Sequence, residues 1–219
     1  MPEALADWST RSLPGKKVTR YSFSQRGGRD CILAEARQSV SLWRRALNVP
    51  IHALHSLQFD WWIAGVGLLD ARASVTASST DDAPARLLLG FDGDESRLSM
   101  ANRMQFELAA ALTGEAPPFA TLMYVWDRAA AAETVVVSAR SDRIRKIVVG
   151  TGSGDGNWRR LQRDVRADYL LAFGEVPGRL ISMALMTDAD NTASRAEACY
   201  GSILLLDAQS QPLDGSLQF

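Results

Sequence analysis

Ten segments of this chain repeat with the two-residue period of a strand or run apolar at strand length, and only two repeat with the period of a helix. The strand segments are 19–24, 31–35, 40–47, 56–64, 85–91, 120–127, 133–139, 143–149, 179–187 and 196–207. The helical ones are 99–112, with Met100, Met104, Leu108 and Leu112 in one stripe, and 157–173, with Trp158, Leu161, Val165, Tyr169 and Phe173. Ser99 suits the N-cap of the first and Gly114 its C-terminal turn, with Pro117-Pro118 preventing continuation. Helices that do not alternate with strands argue against a doubly wound parallel sheet. The expected fold is mainly β: an antiparallel two-sheet β-sandwich, a jelly roll, with two inserted α-helices. Its domain would span 19–207, after an irregular lead-in at 1–18 and before a loosely held polar tail at 208–219.

The middle of the chain, 80–97, carries the densest chemistry. Asp81-Asp82 precede the apolar run 85–91, which ends in a second acidic turn, Asp92-Gly93-Asp94-Glu95. As a strand, the run places Ala85, Leu87, Leu89 and Phe91 on a core face, and Arg86, Leu88, Gly90 and Asp92 on an open one.

With 24 basic and 25 acidic residues the net charge is -1, and no basic block gives a large nucleic-acid footprint. No run approaches the length of a membrane span. The first residues lack the pattern of a signal peptide, which leaves a cytoplasmic protein or one whose signal has been removed. Cys31 and Cys199 both fall in strand segments; two buried thiols are expected, with a disulfide as the alternative in an oxidising compartment.

Three acidic turns could hold a hard cation such as Ca²⁺ through Asp81, Asp82, Asp188, Asp190 and Asn191. The blander account is that Asp and Asn favour turns for their own hydrogen bonds, with Arg86 pairing one of the acids. A second constellation is an open sheet face. Trp62, Tyr124, Trp126 and Tyr200, with Arg86 and Lys146, would offer stacking rings and polar partners to a glycan. The competing reading places these aromatics in the core. Were the protein an enzyme, Asp82 with Asp188 or Asp190 would be the paired carboxylates of glycoside chemistry. His52 and His55 could ligate zinc only with further ligands that are not near in sequence. The glycine-rich 150–156 lacks the Lys-Ser/Thr pair of a phosphate loop and reads as a flexible connection.

Several phrases together resemble a bacterial family known only as domain of unknown function 3047. They are FDWWI at 59–63, DDAPARLLLGFDGD at 81–94, NRMQFELAAALTGEAPPFATLMYVWD at 102–127, RIRKIVV at 143–149 and ISMALMTDADNT at 181–192. The resemblance spans about 56–206 and implies an envelope or secreted protein, periplasmic for instance, with no assigned activity. The closing pattern is also distantly similar to carbohydrate-binding jelly rolls. Three functions are therefore expected to compete: a non-catalytic glycan-binding module, a polysaccharide hydrolase or lyase, and a structural or partner-binding domain.

Overall fold

Alternation decides which side of each strand is buried, and the buried sides meet in one core. The computed structural model describes residues 5–65 and 68–219; residues 1–4 of the lead-in and 66–67 of the loop before Asp81 lie outside the described residues. The elements in order are β1 (Trp8–Ser12), β2 (Arg20–Arg26), β3 (Arg29–Arg37), β4 (Ser41–Val49), β5 (Ser56–Ile63), β6 (Ala83–Phe91) and α1 (Met100–Thr113). There follow β7 (Ala120–Asp127), β8 (Val135–Ser138), β9 (Ser141–Thr151), β10 (Trp158–Arg163), α2 (Val165–Phe173), β11 (Leu180–Asp188) and β12 (Arg195–Leu206).

The strands form two sheets, ordered β1-β4-β11-β6-β7-β9-β8 and β10-β5-β12-β3-β2. Every pairing is antiparallel except β7 with β9. This is the expected sandwich of jelly-roll type. Leu57, Phe59, Trp61 and Ile63 of β5 face Leu87, Leu89 and Phe91 of β6 across the core, joined by Leu122, Tyr124 and Trp126 of β7. Trp61 is fully buried, edge-on to both Phe59 and Trp126.

Five local expectations are corrected. The helix expected over 157–173 is instead strand β10 followed by a shorter helix. Trp158–Arg163 pair with β5 in continuous register, and Asp164 caps α2 by accepting from the N–H groups of Arg166 and Ala167. Helix α1 forms with its expected caps, Ser99 accepting from Asn102 and Gly114 left-handed. Its Met100, Met104, Leu108 and Leu112 stripe, however, faces solvent. The helix is docked by Asn102, whose amide donates to Asp142 and accepts from Ser141, and by Phe106 packed on the core.

At the termini, the lead-in contains β1, because Trp8 stacks on Trp43 of its sheet neighbour β4 at 4.6 Å. The tail is tied down: Leu217 is fully buried and exchanges both backbone hydrogen bonds with Ile203 at 2.7 Å. Cys31 and Cys199, on adjacent strands with Cα atoms 5.7 Å apart, form a disulfide rather than two thiols. No helix among the described residues is long and apolar enough to cross a membrane.

Candidate functional site

Two of the three acidic turns, at Asp81-Asp82 and Asp188–Asn191, converge, but on protein donors, while Asp92 of the third lies at the far end of β6 and pairs with Arg179. Arg86 faces away from the core, as its position in β6 requires, yet only 2% of its side chain is exposed because the segment before β6 folds over it. In that cover, Val75 and Ala83 pack on Val125 and Val148. The guanidinium donates from Nε and Nη2 to the two oxygens of Asp188 at 3.0 and 2.9 Å, and from Nη2 to the carboxylate and carbonyl of Asp81 at 3.0 and 2.7 Å. Lys146, also buried, pairs with the other Asp81 oxygen. Asp82 accepts from Asn191 N–H, Thr192 N–H and the Thr192 hydroxyl, and so pins the β11–β12 turn. Asp190 pairs with Lys16.

The three carboxylates Asp82, Asp188 and Asp190 each offer an oxygen within 4.8 Å of the others, and among the described residues they are the one such group of three or more acids, histidines or cysteines. Hard oxygen donors of this kind could hold a metal. All three already have hydrogen-bond or ion-pair partners, however, and Asp81, held by Arg86 and Lys146, stands outside the group, while the Asn191 side chain donates to Ser78. Burial pushes the Asp188 carboxyl up to about 7 against the pull of Arg86, and Asp82 pushes it further the same way. A raised carboxyl suits a general acid, but Asp82 and Asp188 are 1% and 3% exposed. Substrate has no approach to them. His52 and His55 are exposed and, among the described residues, gather no third acid, histidine or cysteine ligand.

The aromatic face expected from Trp62, Tyr124, Trp126 and Tyr200 does not assemble. Tyr124 and Trp126 lie on the inner side of β7; the Tyr124 hydroxyl donates to Asp168 at 2.7 Å, and Trp126 donates to the Gly152 carbonyl at 2.8 Å. Tyr200 is buried between the sheets, its hydroxyl shared among Met186, Thr187 and Arg86 N–H. These rings are core, and with Arg86 and Lys146 buried, Trp62 alone of the expected ligand-binding set reaches the surface. The glycine-rich loop is likewise a built structure. Trp126 and Trp62 both donate to its carbonyls, and a Cβ on Gly154, at φ +79°, would meet the Ala64 carbonyl at 2.3 Å.

Trp62 has an unexpected companion. Strand β10 sets Trp158 directly beside it in register, both on the outer face of the five-stranded sheet. The two partly exposed indoles rest on Cys31, Leu33 and Cys199. Trp158 donates to the Arg26 carbonyl, and its ring lies close over Gly201, where a Cβ would come within 3.1 Å of it. Guanidinium groups approach both rings: Arg29 stands 4.4 Å above Trp158 and Arg26 5.6 Å above Trp62. Beneath them the buried Asp60 accepts from Arg29 at 2.6 Å and from Arg160 at 2.9 and 3.1 Å. Asp60 and Trp62 alternate on one side of β5, and Trp158 and Arg160 on one side of β10; that alternation was the available signal, masked by the helical reading of 157–173.

The sequence matches, over residues 6–204, a family described as "Protein of unknown function (DUF3047)". No protein of curated function matches it. Among solved structures it is similar to the enzymatically active domain of bacteriophage CBA120 tailspike protein 4, at 8% identity and a TM-score of 0.40; the match covers 90% of this chain, which spans only 18% of the tailspike chain. It is also similar to a family 11 carbohydrate-binding module from Clostridium thermocellum in complex with a β-1,3-1,4-mixed-linked tetrasaccharide (7% identity, TM-score 0.43, 90% and 87% of the two chains). A mutant of ENZbleach xylanase is similar at 9% identity and a TM-score of 0.46, over 94% and 83%.

Proposed function

We propose that this chain, which belongs to the DUF3047 family, is a non-catalytic binding module of the bacterial envelope, periplasmic or secreted, that takes a glycan or similar polar ligand. The observation that carries the reading is the partly exposed pair Trp62 and Trp158, side by side on the outer sheet face, with the guanidinium groups of Arg26 and Arg29 over their rings and Arg160 beside them on Asp60. Sugar C–H faces stack on indoles while hydroxyls need fixed polar partners. The carboxylates a hydrolase would use are enclosed, which favours recognition over cleavage. The disulfide suits an oxidising compartment.

Glycan-array binding of the wild type and of Trp62→Ala tests this. The wild type is expected to retain a defined set of glycans, and loss of one stacking ring to weaken them by up to roughly tenfold. Unchanged binding by a folded Trp62→Ala would place the ligand elsewhere.

Calcium enters this reading only at Asp82, Asp188 and Asp190, where it would have to displace Lys16 and compete with Arg86. The melting temperature is therefore expected to be the same with and without EDTA. A drop on chelation, restored by Ca²⁺, would put the ion in that turn.

One observation favours the partner-binding reading. The exposed stripe of α1 ends at Leu112, which lines a groove of about 530 Å³ floored by Leu88, Gly90 and Ala184. Binding of another protein that Met104→Glu abolishes, with glycan binding intact, would support it.

A further inference from the structure

The outer face of the five-stranded sheet is not electrically neutral. Register and alternation bring Arg20 and Arg26 of β2, Arg29 and Arg37 of β3, Arg160 of β10 and Arg195 of β12 to that side. Against these six stand three carboxylates, Glu35, Asp60 and Glu197. The whole protein carries a net charge of -1, so this face holds a local excess of positive charge on an otherwise acidic molecule.

Part of that excess lies at the indoles, where Arg26, Arg29 and Arg160 stand against Asp60 and Glu197. Asp60 is a single buried carboxylate serving two guanidinium groups, Arg29 and Arg160, whose side chains are 40% and 62% exposed. It takes one N–H of Arg29 and two of Arg160, which holds both planar forks beside Trp158 while leaving them more donors than Asp60 can use. Guanidinium forks match carboxylate and sulfate geometry, and here they are fixed before any ligand arrives.

We propose that this face selects an acidic polysaccharide, whose uronate or sulfate groups bind Arg29 and Arg160 while its sugar rings stack at Trp62 and Trp158. The inference rests on the glycan-binding reading and names its ligand class. A second polyanion, single-stranded nucleic acid, would find rings and charge here too; the disulfide beneath the indoles favours an extracytoplasmic ligand instead.

Native affinity electrophoresis in gels containing dextran, dextran sulfate or polygalacturonate tests it, with a single-stranded oligonucleotide as competitor. The wild type is expected to be retarded by one of the charged polymers far more than by dextran, and the two charged gels separate sulfate from carboxylate recognition. Arg160→Gln, a change at an exposed side chain, is expected to weaken that retardation about tenfold. Trp62→Ala, which changes no charge, should weaken it as well, with melting temperatures confirming that both variants fold. Equal retardation by dextran and the charged polymers would overturn the acidic assignment and leave glycan binding standing. No retardation in any gel, together with an empty glycan array, would overturn both. Equal affinity for the oligonucleotide, or retardation indifferent to Trp62→Ala, would reduce the face to a general polyanion surface and overturn the proposal.

Discussion

Arg86→Met is expected to lower the free energy of unfolding by about 3–5 kcal/mol, the cost of leaving a buried charge without its partner. The guanidinium now meets both oxygens of Asp188 and two acceptors of Asp81, all in a region closed to water. Methionine fills much of the volume but returns none of these bonds. Asp188, with Asp82 close by, would then have to bind a proton to remain inside. The pH dependence follows from the direction of its shift. Its carboxyl already lies above its ordinary value of 3.8, at about 7, mainly through burial. Between those values the folded state holds a proton that the unfolded state has released, so this group makes stability fall as pH rises. Removing Arg86 takes away the influence that pulls the carboxyl down, which widens the window upward. The deficit of Arg86→Met should therefore be larger at pH 8 than at pH 5. Urea unfolding at the two values measures it. Adding Asp188→Asn to Arg86→Met removes the stranded charge and should recover much of the loss, as replacements of whole buried pairs often do. A deficit below about 1 kcal/mol, or one that shrinks at higher pH, would mean that water reaches the pair.

The strand frame was legible because burial enforces alternation. In β5, Leu57, Phe59, Trp61 and Ile63 are the inward set both by pattern and in the structure. Alternation gives two sets per strand, however, and composition does not always say which is inward. In β7 the set with Tyr124 and Trp126 is apolar, but so is the set with Met123 and Val125, and the sheet turned the rings inward. Trp158, Leu161 and Val165 satisfy a helical spacing; that Trp158 and Arg160 belong to a strand was decided by pairing with β5, a partner about a hundred residues earlier. The α1 stripe failed for a related reason. Two faces of that helix could dock, and the hydrogen bonds of Asn102 outweighed four apolar side chains. The pairing of Arg86 with Asp188 spans 102 positions and could be named only as one among several acids. The site on the five-stranded sheet was therefore half visible: Trp62 was in view, and its neighbours became visible only with the register.

Replacing both cysteines, Cys31→Ala with Cys199→Ala, is expected to cost about 5 kcal/mol at most on the loop-entropy account, because the bridge closes 168 residues of the denatured chain. At roughly 2–4 °C per kcal/mol for a domain of this size, the melting temperature should fall by up to about 10–20 °C. The denatured state carries most of this effect, so the urea m-value should rise in the variant as the unlinked chain expands further. A second consequence is local. The bridge and Leu33 form the floor on which Trp62 and Trp158 rest, and two alanines leave that floor hollow. The variant should therefore lose glycan affinity as well as stability, even at a temperature where it is fully folded. Reduction of the wild type by dithiothreitol should reproduce the loss of stability, while the affinity should fall less, since the sulfur atoms remain under the rings. Two titratable thiols in freshly purified, denatured wild type, with a melting temperature indifferent to dithiothreitol, would show that the bridge does not form. Nothing in the chain would then point to an oxidising compartment, and the indole pair would rest on two packed thiols instead.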